Sequence, residues 1–454
     1  MDAPPEPLYS FAPNRKLVLE LSRPPANPPI AEFARPELKL AGVRIDPEGF
    51  CRSRQSYYTG IKVAAFTDDL HLPFSSTTTA TASAPPTNVV AFTGIPEGFG
   101  IGDVSWSSDS THIAFTIRRA GDNWDEDRPP AQLWVADVAT GRARPLLPHH
   151  RINSIFEDYT WLDDDTIIAS VIPEGRDTAP PPTKPVAPSP RIESNEDGKK
   201  RQTRTYQDLL KDEHDVALFE YYCEAQLIRV SISTGERSIL GDGTPRIYTA
   251  IAPSPDSNYI LAAWLESPWS FAVPCGRFPK RVELWDRHGA VVRPVAALPL
   301  ADDIPLAFDS CRKGPRSLSW RDDKPSEFVW VEAQDGGDPA VEASPRDVVY
   351  ALDAGAGPLA PPRVLAGTDM RFGGITWGHG ELALLYESEW KTRRSRTWIV
   401  SPDGMGDGGK ELLYDRNYED VYSDPGSPLM RRTSLGRYVL VRFFHLLISI
   451  LLVH

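Results

Sequence analysis

The sequence predicts an all-β fold, a β-propeller of about seven blades with the last one incomplete, and three observations lead there. First, 44 prolines and 32 glycines in 454 residues argue against long helices and for many turns, while an apolar share of 41% suffices for a core. Second, the stretch Ile251 to Trp285, IAPSPDSNYILAAWLESPWSFAVPCGRFPKRVELW, reads as turn, strand, crossover and strand. Third, that unit recurs along the chain. Two hairpins in about 40 residues are the size of one four-stranded blade. Length does not set the number of domains, because circular repeat architectures grow by adding units.

Within the reference unit, Ser254, Pro255 and Asp256 form a turn in which proline fixes φ and the carboxylate can bond its own backbone two residues on. Tyr259, Ile260, Leu261 and Trp264 then supply a strand of β-branched, aromatic and aliphatic residues. Val282, Leu284 and Trp285 alternate with polar residues in the second run. Taken in order, comparable starts fall near Phe11, Trp106, Trp161, Ser254, Trp320 and Trp377, and a seventh begins at Ser423. Outer hairpins are expected from Gln132, with a Thr140/Gly141 turn, and from Gln226, with a Thr234/Gly235 turn.

Other segments interrupt the repeat. Residues 34–61 carry Arg35, Lys39, Arg44, Arg52, Arg54 and the pair Tyr57/Tyr58, a connector between blades or a basic loop facing substrate. Residues 73–87, rich in Thr, Ser, Ala and Pro, read as a loop. An insertion over 173–222 begins with TAPPPTKPVAPSP and NEDGKKRQ, compositions unable to bury a core, which should project from the rim. It ends in YQDLLKDEHDVALFEYY, where Leu209, Leu210, Val216, Phe219 and Tyr222 predict one short helix from Tyr206 to Tyr222 on a blade edge. The propeller is expected over 1–441, followed by an apolar tail at 442–454. That tail, FFHLLISILLV at its centre, is shorter than the roughly 20 residues a membrane span needs. Membrane binding is therefore not expected, and the tail reads as sequence outside the fold.

A net charge of −13 excludes a nucleic-acid partner in the absence of a concentrated basic face. Cys51, Cys223, Cys275 and Cys311 show neither metal spacing nor disulfide density, which fits a reducing compartment. Asp163, Asp164 and Asp165 lack the spacing and glycine of a calcium loop and read as a turn. His149 and His150, followed by Arg151, have no third ligand at zinc spacing. Trp106, Trp161, Trp320 and Trp377 recur at equivalent blade positions and read as core. No cofactor and no metal is expected.

Longer strings carry a family resemblance. YYTGI at Tyr57, TYQDLLKDEHD at Thr205, VPCGRFPKRVELW at Val273 and DIPLAFDSCRKGPRSLSWRDDKPS at Asp303 resemble the amino-terminal half of plant chloroplast glutamyl endopeptidases. So do EAQDGGDPAVEASPRDVVY at Glu332, YESEWKTRRSRTWIVSP at Tyr386 and EDVYSDPGSPLMRRTSLGRYV at Glu419. These are serine peptidases of the prolyl oligopeptidase family, and the resemblance covers about Asp2 to Val441.

The resemblance implies a propeller that covers an α/β-hydrolase domain and limits access to peptides or partly unfolded chains. It implies a Ser in a G-x-S-x-G elbow, with His and Asp partners, cleaving after Glu. The 454 residues contain no G-x-S-x-G, so the hydrolase domain is expected to be absent, no catalytic residue is assigned, and the chain by itself is expected to be inert. A cationic pocket for a substrate carboxylate could draw on Arg277, Lys280, Arg281 or the cluster Lys391, Arg393, Arg394 and Arg396, whose alternative is a solvated blade edge. The resemblance implies the chloroplast stroma, although DAPPEP after Met1 is no presequence, which leaves the cytoplasm as the alternative. A stand-alone peptide-binding propeller is the other functional reading, and a truncated gene record the expected origin of the abrupt end.

Overall fold

The computed structural model describes residues 5–25, 30, 34–65, 89–119, 131–176, 180–182, 206–378, 382–404 and 409–441. Six four-stranded antiparallel sheets follow one another along the chain, each a meander of consecutive strands once its insertions are set aside. This is the β-propeller class, and a two-stranded sheet, Met430–Arg432 with Tyr438–Leu440, follows the sixth. The expectations for residues 73–87, for the proline cluster beyond Pro182 and for the tail at 442–454 lie outside the described residues. Among the described residues, no helix is long and apolar enough to cross a membrane.

The described residues fall into two compact units, one of those up to 182 with 208–250 and one of 206–207 with those from 251 to 441. In the first, blade 1 joins Leu8–Phe11, Leu17–Ser22, Gly60–Ala65 and Val89–Ala91. Blade 2 joins Phe99–Trp106, His112–Arg119, Ala131–Asp137 and Arg142–Pro145. Blade 3 joins Tyr159–Trp161, Thr166–Val171, Gln226–Ser231 and Arg237–Ile239. The central strands Leu17–Ser22 and Thr166–Val171 are buried on both faces, with Leu19, Leu21, Ile167, Ala169 and Val171 on one face and Val18, Glu20, Ile168 and Ser170 on the other.

The boundary between units falls inside strand Ile247–Pro253, the first of blade 4, which continues with Tyr259–Leu265, Lys280–Asp286 and Val291–Leu298. Blade 5 joins Arg316–Trp320, Glu327–Ala333, Asp347–Asp353 and Arg363–Thr368, and blade 6 joins Arg371–Trp377, Ala383–Glu389, Arg394–Val400 and Glu411–Asn417. Val439 of the final hairpin is buried in the core of blade 6 with Trp377, Ala383 and Leu385.

The turn read from Ser254 to Asp256 is built as its residues dictate. Ser254 Oγ donates to Asp256 Oδ1 at 2.6 Å, Asn258 N donates to the same oxygen at 3.2 Å, and Tyr259 N donates to Ser254 Oγ at 3.0 Å. Blade 2 repeats it, with Ser107 Oγ to Asp109 Oδ1 at 2.6 Å and His112 N to Ser107 Oγ at 2.9 Å. The same turn thus closes the first hairpin of both blades.

Two local readings differ from the structure. Residues 34–61 hold a three-stranded sheet, Leu38–Leu40, Val43–Asp46 and Cys51–Arg52, inserted within blade 1. Its Leu40, Ala41, Val43, Ile45 and Phe50 are buried, so it is a small core rather than a solvated connector. The helix, α1, spans Glu213–Cys223 instead of 206–222, because Asp212 caps it by accepting from His214 N and Asp215 N, both at 2.9 Å. It packs on that small sheet, with the Tyr222 ring 5.0 Å from Phe50, rather than on a blade edge.

Candidate functional site

Blade 2 ends at Pro145, Leu146 and Leu147 turn inward, and Pro148 leaves His149 and His150 outside the sheet. Arg151 brings the chain back, its carbonyl accepting from Ile172 N at 2.9 Å, and Ile152 bridges Val171 of blade 3. His150 is thereby set against Ile172, Pro173 and Glu174 on one side and the edge strand Arg237–Ile239 on the other. The pocket they enclose measures about 470 Å³. Ile172, Ile228 and Ile239 line it with aliphatic surface, and its ionisable groups are the two imidazoles, Arg151, Arg237 and one carboxylate, Glu174.

Arg237 Nη1 stands 3.5 Å from His150 Nδ1. Burial and the Arg237 charge hold His150 below the ordinary histidine pKa, with Glu174 acting in the opposite sense and His149 in the same one. His150 is therefore neutral at neutral pH. Arg151 is committed elsewhere: its Nη2 donates to the Glu48 carbonyl at 3.3 Å and its guanidinium lies 4.9 Å over the Phe50 ring. The sequence drew attention to His149 and His150 only as metal ligands. Among the described residues, no group of three His, Cys, Asp or Glu is placed to hold a metal ion.

The basic cluster at 391–396 lies at a second pocket, of about 570 Å³, on blade 6. Its cations are matched by carboxylates. Arg394 grips Asp415 bidentately at 2.6 and 2.5 Å, and Arg396 lies 3.2 Å from Asp415 and 3.6 Å from Glu387. The Arg394 bond holds the Asp415 carboxyl below its usual range. Arg393 pairs with Glu419 at 3.0 Å and stacks 3.9 Å over Trp390, whose ring lies 3.7 Å from Phe308, while Lys391 is exposed. Three carboxylates and three guanidiniums line this pocket, so it offers a substrate carboxylate no surplus positive charge.

The other candidates are dispersed. Arg281 is bound bidentately by Glu266 at 2.7 and 3.2 Å. Lys280 stands beside it in the same strand, opposite Leu265. Arg277 sits in the turn Cys275–Arg277 and, after burial, is the second cause of a lowered Arg312 pKa. Around the small sheet, Arg44 pairs with Asp208 at 2.7 Å, Arg35 with Asp46 at 3.9 Å and Arg54 with Glu37 at 4.0 Å. Arg52 donates to the Ile155 carbonyl at 2.7 Å, and Lys39 is exposed.

Asp163 to Asp165 form a turn. Asp164 Oδ1 accepts from Asp109 N at 2.8 Å, and Asp165 accepts from Ser231 Oγ at 2.7 Å and Ser233 N at 2.8 Å. Trp320 and Trp377 are buried, while Trp106 and Trp161 are half-buried against the cores of their blades. The four cysteines form no disulfide; Cys51 is buried and its thiol is pushed up to about 12, chiefly by that burial.

One cluster had no signal in the sequence. Asp103, at φ +48° in a bulge of blade 2, accepts from Thr116 Oγ1 at 2.8 Å and pairs with Arg118. Half-buried Asp158 lies beside it, and desolvation followed by the Asp103 charge raises the Asp158 pKa well above the usual value. The two carboxyls belong to different blades, 55 positions apart, so local pattern could not have joined them.

By its sheets the chain is of the β-propeller class. No family model matches it. It is 48% identical over 449 residues to an Arabidopsis thaliana protein called "Probable glutamyl endopeptidase, chloroplastic", covering 97% of this chain and 44% of that protein. An Oryza sativa subsp. japonica protein of the same name is 46% identical over 445 residues, covering 97% of this chain and 45% of the other. The resemblance read from the strings between Tyr57 and Val439 thus holds: over 97% of its length the chain is similar to plant proteins named as probable chloroplastic glutamyl endopeptidases. It spans somewhat under half the length of these curated relatives.

Among solved structures, a study titled as an analysis of two prolyl endopeptidases aligns with TM-score 0.39 and 11% identity, over 91% of this chain and 52% of that one. The Myceliophteria thermophila Cps50 (Swd1) β-propeller domain aligns with TM-score 0.34 and 10% identity, over 92% and 88% of the two chains. Scores this low carry no argument, and the fold class rests on the sheets themselves.

Proposed function

We propose that this chain is the amino-terminal, substrate-gating propeller of a serine-type endopeptidase of the prolyl oligopeptidase family, one that cleaves after Glu in the chloroplast stroma. The observation that carries the reading is the 48% identity over 449 residues to a protein named for glutamyl endopeptidase activity. The gating role follows from what the chain does and does not carry. It is built of stacked antiparallel sheets, and its sequence has no G-x-S-x-G to place a nucleophile. In the proposed enzyme the chemistry belongs to the remaining length of the relatives, and these blades restrict which polypeptides reach it.

The test compares the chain with a fusion to the downstream segment of the Arabidopsis relative. The fusion should cleave an unstructured Glu-containing peptide and spare a folded protein of equal Glu content. Removal of residues 1–441 from the fusion should abolish that discrimination. Equal cleavage of folded and unfolded substrates by the fusion contradicts gating.

A further inference from the structure

We propose that the pocket between His150 and Arg237 binds a carboxylate carried on a branched aliphatic stem, the chemistry of a peptide ending in leucine or isoleucine. The site lies entirely within the first compact unit and is independent of the activity proposed above.

Three features point to this ligand. The pocket, at about 470 Å³, has the volume of a small-molecule site, and Ile172, Ile228 and Ile239 give it an aliphatic wall. Its polar groups converge: the Arg237 guanidinium, a planar fork suited to a carboxylate, stands 3.5 Å from the His150 ring. Glu174 on the lining offsets part of the positive charge, which favours a monoanion over a dianion such as phosphate. In a protein of net charge −13 a pocket with two guanidiniums, two imidazoles and one carboxylate is a local exception.

The arrangement also sets the pH dependence. Three charged or titratable lining groups bear on His150: Arg237 from the edge strand, Glu174 from the stem after Val171, and His149 from its own connection, while Arg151 of that connection is turned to the Glu48 carbonyl and the Phe50 ring. Arg237 opposes a second positive charge on His150, and a bound carboxylate removes that opposition. Ligand binding and protonation of His150 therefore favour each other, and affinity should rise as pH falls toward the lowered pKa of His150.

The experiment titrates the 454-residue chain, labelled at histidine with ¹³C and ¹⁵N, with N-acetyl-leucine and with N-acetyl-leucinamide, which differ only in the carboxylate. His150 is assigned by its loss in His150→Gln. N-acetyl-leucine should shift the His150 resonance in a saturable way, at least tenfold more tightly than the amide. Arg237→Gln, at an exposed position, should weaken binding at least tenfold with an unchanged melting temperature. His150→Gln should retain binding and lose its pH dependence. Equal binding of acid and amide, tighter binding of inorganic phosphate, or unchanged affinity in Arg237→Gln overturns the proposal.

Discussion

The Arg321 guanidinium lies 4.6 Å over the indole ring of Trp377, joining the end of the first strand of blade 5 to the end of the first strand of blade 6. Arg321 has no exposed surface and also binds Asp323 at 2.9 and 2.7 Å, Glu327 at 3.1 Å and Asp403 at 2.9 Å. A buried charge with this many partners is costly to break from one side. Arg321→Met takes from the buried Asp323 side chain its ion-pair partner and leaves Glu327 to Arg363 alone, and should cost about 3–5 kcal/mol in urea unfolding. Trp377→Phe keeps an aromatic face and should lose less of the cation–π term, on the order of 1 kcal/mol, plus the volume of the lost ring. Equal stability of Arg321→Met and the parent chain would contradict this reading.

Asp158 gives a pH prediction. Burial and the Asp103 charge raise its folded pKa above its unfolded one, so the folded state holds the proton more tightly. The contribution is fully present below the unfolded value, about 4, and is lost as pH rises through the raised folded value. Asn at this position carries no charge at any pH and can still accept the bond from Tyr159 N, now 2.7 Å from Asp158 Oδ1. Asp158→Asn should therefore be more stable than the parent at pH 8, by on the order of 1 kcal/mol, and equal to it near pH 4. Thermal melts at the two pH values decide it; a less stable variant at pH 8 counts against the buried-carboxyl account.

Gly336 and Gly337 separate conformational strain from collision. Both have positive φ, +67° and +82°. A Cβ on Gly336 would meet nothing within 4 Å, whereas one on Gly337 would stand 2.1 Å from the Cys311 carbonyl oxygen. Gly336→Ala should cost roughly 1 kcal/mol from left-handed backbone alone. Gly337→Ala should cost roughly 3 kcal/mol or more, since the Cys311 backbone must also move. Equal unfolding midpoints for the two variants would show that the close approach does not exist.

What the sequence disclosed followed the range of the interactions involved. The turns at Ser107 and Ser254 are closed by residues two to five positions away, so serine, aspartate and the following strand announced each blade. The strands of the small sheet are three, four and two residues long, too short to show alternation, and blade 1 is split around them. Leu209 and Leu210 extend the apolar pattern beyond the cap at Asp212, so the sequence pattern starts the helix too early. The 391–396 arginines stood out as a cationic run, yet Asp415 and Glu419 neutralise them from outside it. Partners 87 positions apart, such as His150 and Arg237, or 82 apart, such as Arg321 and Asp403, meet only through the stacking of sheets.

The central claim is that these blades guard a peptidase reaction whose reacting groups they do not contain. The most direct measurement is release of product from a fluorogenic peptide with Glu at the scissile bond, run on the purified 454-residue chain and on its fusion to the downstream segment of the Arabidopsis relative. The account predicts no turnover above the buffer blank for the chain and steady turnover, abolished by a serine-directed fluorophosphonate, for the fusion. Fluorophosphonate-sensitive cleavage after Glu by the chain alone would contradict it.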